Sequence, residues 1–170
     1  MLIPSFAVAR SQELLLILRD YKSYIALDGM AREATEIMLR NSSFLLSPGE
    51  LRKIYGSIKR VRNQIERKRV LKRKPIVIAT SGMLNGGPIL YYLKRVRNRK
   101  ESLLAFVGFQ VEGTPGRSVL ETGVYRNEET WEVNCRIRRF DFSSHAGRNE
   151  LFELVERLRP SLVVCVHGDK

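Results

Sequence analysis

Short apolar runs rich in β-branched residues alternate along this chain with stretches whose apolar positions recur every three or four residues. The runs Met1–Phe6, Tyr24–Leu27 and Pro75–Ala79 read as strands. Leu103–Gln110, Ser118–Gly123, Trp131–Arg138 and Leu162–Val166 read the same way, with Arg139–Phe142 extended. Helical spacing marks Ser11–Asp20, Ala31–Arg40 and Pro88–Val96, and then Arg148–Arg159, which Pro160 stops. After the loop Asn41–Pro48, Ser47 is placed as an N-cap, with Pro48 at N1 and Glu50 at N3. The pattern there predicts one long basic helix whose apolar stripe is Ile54, Ile58, Val61 and Ile65. Strand and helix in alternation, with strands apolar throughout, predict an α/β fold: a largely parallel sheet flanked by helices.

Length and composition fit that frame. The 170 residues suffice for one domain or slightly more with a buried core. No run approaches the roughly 20 apolar residues that span a bilayer. The start MLIPSFAVAR lacks the basic segment of a secretory leader, so the expected location is the cytoplasm, with no membrane partner. Cys135 and Cys165 show no CxxC pairing, and Cys165, inside Leu162–Val166, is expected to be a buried thiol.

Charge changes the picture most. The net charge is +12, which selects a polyanionic partner, nucleic acid before membrane surface. Between Arg52 and Lys74 eleven lysines and arginines face one acid, Glu66. A solvated helix face usually interleaves both signs, whereas this segment does not. Lys59, Arg60 and Arg62 are therefore candidate contacts to the phosphates of a nucleic acid.

Three places carry candidate chemistry. Thr80-Ser81-Gly82-Met83-Leu84-Asn85-Gly86-Gly87-Pro88 joins a strand to a helix N-terminus, where amides and the helix dipole favour phosphate. It is neither a Walker A loop nor a dinucleotide fingerprint. The two histidines, His145 and His167, each follow a predicted strand, the edge at which α/β sheets place their sites. The intervening helix would make those strands neighbours. Gly147 and Arg148, just past His145, would offer an amide and a charge to a phosphate. Two histidines and Asp169 fall short of the ligands of a catalytic zinc, and HxH, HExxH and GxSxG are all absent.

At these motifs the sequence resembles the β-CASP nucleases of the metallo-β-lactamase superfamily. The branch it is most similar to holds archaeal relatives of the cleavage and polyadenylation specificity factor nuclease, which processes mRNA 3′ ends. The resemblance rests on Leu2–Val8 with Gln12–Leu15, Leu27–Ala31, Ala79–Met83, Val107–Thr114, Phe142–Ala146 and Val166–Gly168, in family order. It implies a ribonuclease that hydrolyses RNA phosphodiesters with two zinc ions. His145 would then face the phosphate or leaving oxygen as a catalytic residue, and His167 would be a zinc ligand. Ser81, Gly82, Met83, Ser144, Gly147 and Arg148 would line the RNA path.

The family's HxHxDH run and motif A acid do not occur in this sequence. Residues 1–125 accordingly match most of a β-CASP domain, and 126–170 a return segment of a partial metallo-β-lactamase domain carrying motifs B and C. The expectation is a chain inactive by itself that works with a missing metallo-β-lactamase half or a full-length homologue, with a homodimer as a further expected assembly. The alternative expectation is a non-catalytic module that binds RNA or a protein partner.

Overall fold

A computed structural model describes residues 1–73, 75–142 and 146–166. Six strands, β1 (Leu2–Pro4), β2 (Ile25–Asp28), β3 (Lys59–Val61), β4 (Ile76–Ala79), β5 (Leu103–Phe106) and β8 (Arg136–Arg139), form one sheet in the order β3-β2-β4-β1-β5-β8. Every pairing in it is parallel. The remaining two, β6 (Val124–Arg126) and β7 (Thr130–Glu132), form a separate antiparallel hairpin. The α-helices are α1 (Arg10–Ile17), α2 (Ala31–Arg40), α3 (Pro48–Ser57), α4 (Gln64–Arg73), α5 (Pro88–Val96), α6 (Pro115–Thr122) and α7 (Arg148–Leu158), with short 3-10 turns at Arg19–Tyr24 and Ser42–Phe44. The predicted α/β class, with its mostly parallel sheet, is the one observed.

Strand alternation divides the core in two. Leu2, Ala26, Val77, Ala79, Leu104 and Phe106 face a layer built from α4, α5, α6 and the hairpin, with Val70, Tyr92, Leu93, Val119 and Tyr125 packed among them. Ile3, Ile25, Leu27, Ile78 and Ala105 face the opposite layer, where α1 and α3 supply Leu14, Leu15, Leu51 and Ile54. A sheet covered on both faces explains why its strands read as continuous apolar runs. Fully buried side chains such as Leu15, Ile25, Leu27 and Ile78 each contribute about 1.5–3 kcal/mol of transfer free energy.

Helices α2 and α5 have the bounds the pattern predicts. The long basic helix does not form. It breaks into α3, β3 and α4, because Ile58–Val61 extends and pairs with β2 in the register Ala26↔Lys59, Leu27↔Arg60, Asp28↔Val61. Gly56 and Ser57, poor interior helix residues, sit at the break. Ile54, Ile58 and Val61 are buried as the stripe required, but from α3, the bend after it and β3 in turn, and Ile65 is exposed. Ser47 offers no side-chain cap, while Pro48 does open α3.

Ser118–Gly123, expected as a strand, lies in α6. Thr114 caps that helix by accepting from the Arg117 N–H at 3.3 Å, Pro115 follows, and Gly123 ends it in the left-handed region at φ 70°. Trp131–Arg138 divides between β7 and β8. Leu162–Val166 joins no strand ladder among the described residues and is exposed, so Cys165 is an exposed thiol rather than a buried one. Among the described residues no helix is long and apolar enough to cross a membrane.

Candidate nucleic-acid interface

The C-terminal ends of β1, β4, β5 and β8 meet at one edge of the sheet, and the loop after β4 is built into the floor there. The Ser5 N–H donates to Ala79 O at 3.0 Å, tying the exits of β1 and β4 together. The Gly116 N–H donates to Met83 O at 2.8 Å, and buried Gln110 donates from Nε2 to Gly82 O at 3.2 Å. A methyl group on Gly82 would lie 3.2 Å from the Phe6 backbone nitrogen, so the loop's close approach to β1 depends on glycine. Ser81 and Met83 remain half-exposed, while Gly82 is buried.

The expected cluster of free amides at the start of α5 is not what the loop offers. Pro88 has no N–H, and the Ile89 N–H donates to Thr80 O at 2.9 Å. Any anion here would meet the loop residues and the helix dipole rather than the first amides of α5.

An open cavity of about 670 Å³ lies against this loop. Phe6, Met83, Phe109 and Phe142 give it apolar walls, with Arg139 and Asp141 among its charged lining. The segment leading toward His145 therefore lines the same cavity as Met83. His145, Ser144 and His167 themselves lie outside the described residues. The βαβ pairing expected to bring the two histidine-bearing strands together is not formed, since β8 pairs only with β5 and 162–166 is unpaired among the described residues.

Gly147 and Arg148 open α7, but the Gly147 N–H donates to Glu150 Oε2 at 2.6 Å and is not offered outward. The Arg148 guanidinium stands 4.8 Å from the Phe152 ring centroid, an exposed cation–π contact.

The structure also sorts the basic segment. Lys59 Nζ donates to Glu66 Oε1 at 2.7 Å, and the Arg62 N–H to Glu66 Oε2 at 2.7 Å. The hydrogen bond from Lys59 holds the Glu66 carboxyl below its usual range. Arg60, next on β3, points to the other face of the sheet, 5.3 Å from the Tyr55 ring centroid. Lys59 and Arg60 therefore do not share a surface, contrary to the helical expectation. Arg62 is exposed. On α4, Lys68, Arg69, Lys72 and Arg73 are exposed and make no ion pair among the described residues. The spacing i, i+1, i+4, i+5 puts all four on one side of that helix, away from buried Val70.

Arg67 belongs to a group that the sequence reading missed. Buried Asp28, at the end of β2, accepts from Arg67 Nε at 2.7 Å and Nη2 at 3.2 Å, from Tyr92 Oη at 2.8 Å and from the Gly29 N–H at 2.7 Å. Burial and the Asp28 carboxylate push the Tyr92 phenol far upward, and the hydrogen bond that Arg67 donates to Asp28 raises the guanidinium. Asp28-Gly29 reads as a turn in sequence. Its buried carboxylate is predictable only once α4 is known to cross the end of β2.

One further surface stands out. Leu151, Phe152, Leu154 and Leu158 on α7 are 51–67% exposed, and Leu162 and Val164 beyond it exceed 70%. Single exposed apolar residues are common, but a run of this kind marks an interface.

The Beta-Casp domain family matches residues 11–119, and the family described as a Zn-dependent metallo-hydrolase RNA specificity domain matches residues 130–170. The chain is 41% identical over 170 residues to RNase aCSPSF2 of Saccharolobus solfataricus, covering 98% of this chain and 34% of that protein. To Probable RNase MJ4 of Methanocaldococcus jannaschii it is 39% identical over 176 residues, covering 99% and 41%. To transcription termination factor FttA of the same organism it is 34% identical over 197 residues, covering 99% and 31%. The chain thus spans 34% and 41% of the length of the first two relatives.

The second family's description implies zinc. Among the described residues no three His, Cys, Asp or Glu side chains come together as a ligand set. Cys135 is buried just before β8 with its thiol pushed up by burial, and Cys165 lies on the exposed segment 162–166. The described residues do not compose a zinc site.

Proposed function

Because the chain belongs to the Beta-Casp family of RNA-processing nucleases, we propose that it is the RNA-gripping part of a zinc-dependent ribonuclease. The complete enzyme would hydrolyse RNA phosphodiesters in RNA processing or 3′-end maturation, in the cytoplasm. Residues 1–125 would form the β-CASP portion and 126–170 the segment returning to a metallo-β-lactamase domain. His167 would supply one zinc ligand, and His145 would face the scissile phosphate or its leaving oxygen. Ser81, Gly82 and Met83 would flank the RNA path. The remaining metal ligands would come from a metallo-β-lactamase half seated on the exposed apolar residues of α7 and 162–166.

The observation that carries the RNA reading is the bare cationic face of α4 on a chain of net charge +12. Four neighbouring cations without carboxylate partners among the described residues repel one another, and a polyanion relieves that repulsion while releasing its own counterions. Titrating binding of a single-stranded RNA against salt tests it. Affinity should fall linearly with salt on logarithmic axes, and binding that is absent or indifferent to salt would remove the proposal. The second reading, a non-catalytic module for RNA or a protein partner, is favoured by the apolar strip on α7, which suits a protein partner.

A further inference from the structure

The cavity at the C-terminal edge of the sheet has features that phosphate gripping does not require. Phe6 is 44% exposed and Phe109 63% exposed, yet both line the wall of a concave space rather than standing on a convex surface. Phe6 is backed by two glycines. A methyl group at Gly108 would stand 3.6 Å from Phe6 Cε2, and one at Gly82 would stand 3.4 Å from Phe6 Cδ2. The ring therefore rests close to backbone on one side, which fixes its plane, while its other side meets solvent. Gly82 is itself held by Gln110 and Met83 by Gly116. This aromatic platform is set before any ligand arrives.

Two exposed phenyl rings and the Met83 thioether around one concave space suit an apolar or π-faced occupant. The volume, about 670 Å³, lies within the roughly 300–1,000 Å³ of small-molecule sites. Arg139 is exposed beside the cavity with no ion pair among the described residues, and the chain as a whole is strongly cationic. An occupant with an aromatic face and an attached anion satisfies both requirements. A nucleotide unit of RNA is such a group.

We infer that this cavity is a stacking site for one unpaired nucleobase of a single-stranded RNA, with Phe6 as the fixed platform, Phe109 as the exposed second ring and Arg139 on the adjoining phosphate. The inference rests on the RNA reading above and deepens it, because it makes the grip selective for unpaired strands. A base inside a duplex is already stacked on its neighbours and offers no free face. Selection then falls on strandedness rather than sequence, since every base has a π-face.

The test uses the whole 170-residue chain and an oligouridine carrying one 2-aminopurine, whose fluorescence is quenched by stacking. Saturable quenching on binding is expected, with none when the same strand is held in a duplex. Phe6→Ala and Phe109→Ala should each weaken single-strand binding by roughly tenfold or more and lose the quench, at an unchanged salt slope, because no charge is removed. Phe6→Leu and Phe109→Leu preserve apolar volume and the melting temperature yet should lose the quench as well, whereas Phe109→Trp should keep it. Salt-dependent binding that persists in all variants without quenching overturns the stacking site and leaves the RNA reading standing. Absence of any salt-dependent binding in the wild type overturns both. If the alanine variants instead abolish self-association in sedimentation and leave RNA affinity untouched, the cavity is a protein contact and the inference is wrong.

Discussion

Neutralising α4 isolates the electrostatic part of the grip. Lys68, Arg69, Lys72 and Arg73 are exposed, unpaired among the described residues and on one side of the helix. Each phosphate contact adds about 0.7 to the negative slope of log affinity against log salt on a single strand. Four contacts would give a slope near −2.8, so a fourfold rise in salt would weaken binding about fifty-fold. Replacing all four by glutamine should remove most of that dependence. Glutamine has nearly the helix propensity of lysine and arginine, so α4 should persist. Arg60→Gln is the matched control, because Arg60 lies on the other face of the sheet beside Tyr55. It should change the slope by less than about 0.7, one contact. Fluorescence anisotropy with a labelled RNA across a salt series reads both numbers. An unchanged slope in the fourfold variant, or an equal fall in the control, would show that α4 is not where phosphate is held.

Asp28→Asn strands Arg67 without its carboxylate and should cost about 3 kcal/mol, read as a lower urea midpoint; a loss under about 1 kcal/mol would mean the pair does not anchor α4. Gly29→Ala places a methyl onto Thr80 Oγ1 at φ 87°, and should cost about 2–4 kcal/mol from left-handed strain and overlap, a near-neutral melt being the contrary result. Burial and the hydrogen bond to Glu36 raise the Tyr55 phenol from 10.0 to about 12. Its stabilisation is therefore complete below pH 10 and lost between pH 10 and 12. Tyr55→Phe should reduce the alkaline loss, and superimposable pH curves would contradict this. Mixed with a separately expressed fragment carrying HxHxDH and the motif A acid, the chain should support RNA cleavage. There His167→Ala should lower zinc content and rate, and His145→Ala the rate alone; a zinc-loaded, active chain without the fragment would defeat the shared-site proposal.

Where the sequence could be read, one local signal dominated; where it misled, a distant partner decided. Ala31–Arg40 and Pro88–Val96 were legible because a turn-forming glycine or an N1 proline marks their starts and periodicity carries them through. The basic segment misled because Ile54, Ile58, Val61 and Ile65 fit a helical stripe and equally fit a helix followed by a strand. The parallel edge of β2, 33 residues upstream of Lys59 at Ala26, chose the second. That choice also decided the candidate interface. Extension of Ile58–Val61 sends Lys59 and Arg60 to opposite faces of the sheet, and the turn into α4 brings Glu66 back onto Lys59 and Arg67 onto Asp28. Composition counted eleven cations between Arg52 and Lys74 as one surface. Folding pairs Lys59 and Arg67 with carboxylates, stacks Arg60 on Tyr55, and leaves the four on α4 without an ion pair among the described residues. The aromatic cavity was invisible for the same reason, since Phe6, Met83, Phe109 and Phe142 follow four separate strands. Only the order β4-β1-β5-β8 makes their exits neighbours. Charge density along a chain can therefore indicate that a polyanion is bound, but the sheet order determines which cations and which rings can meet it.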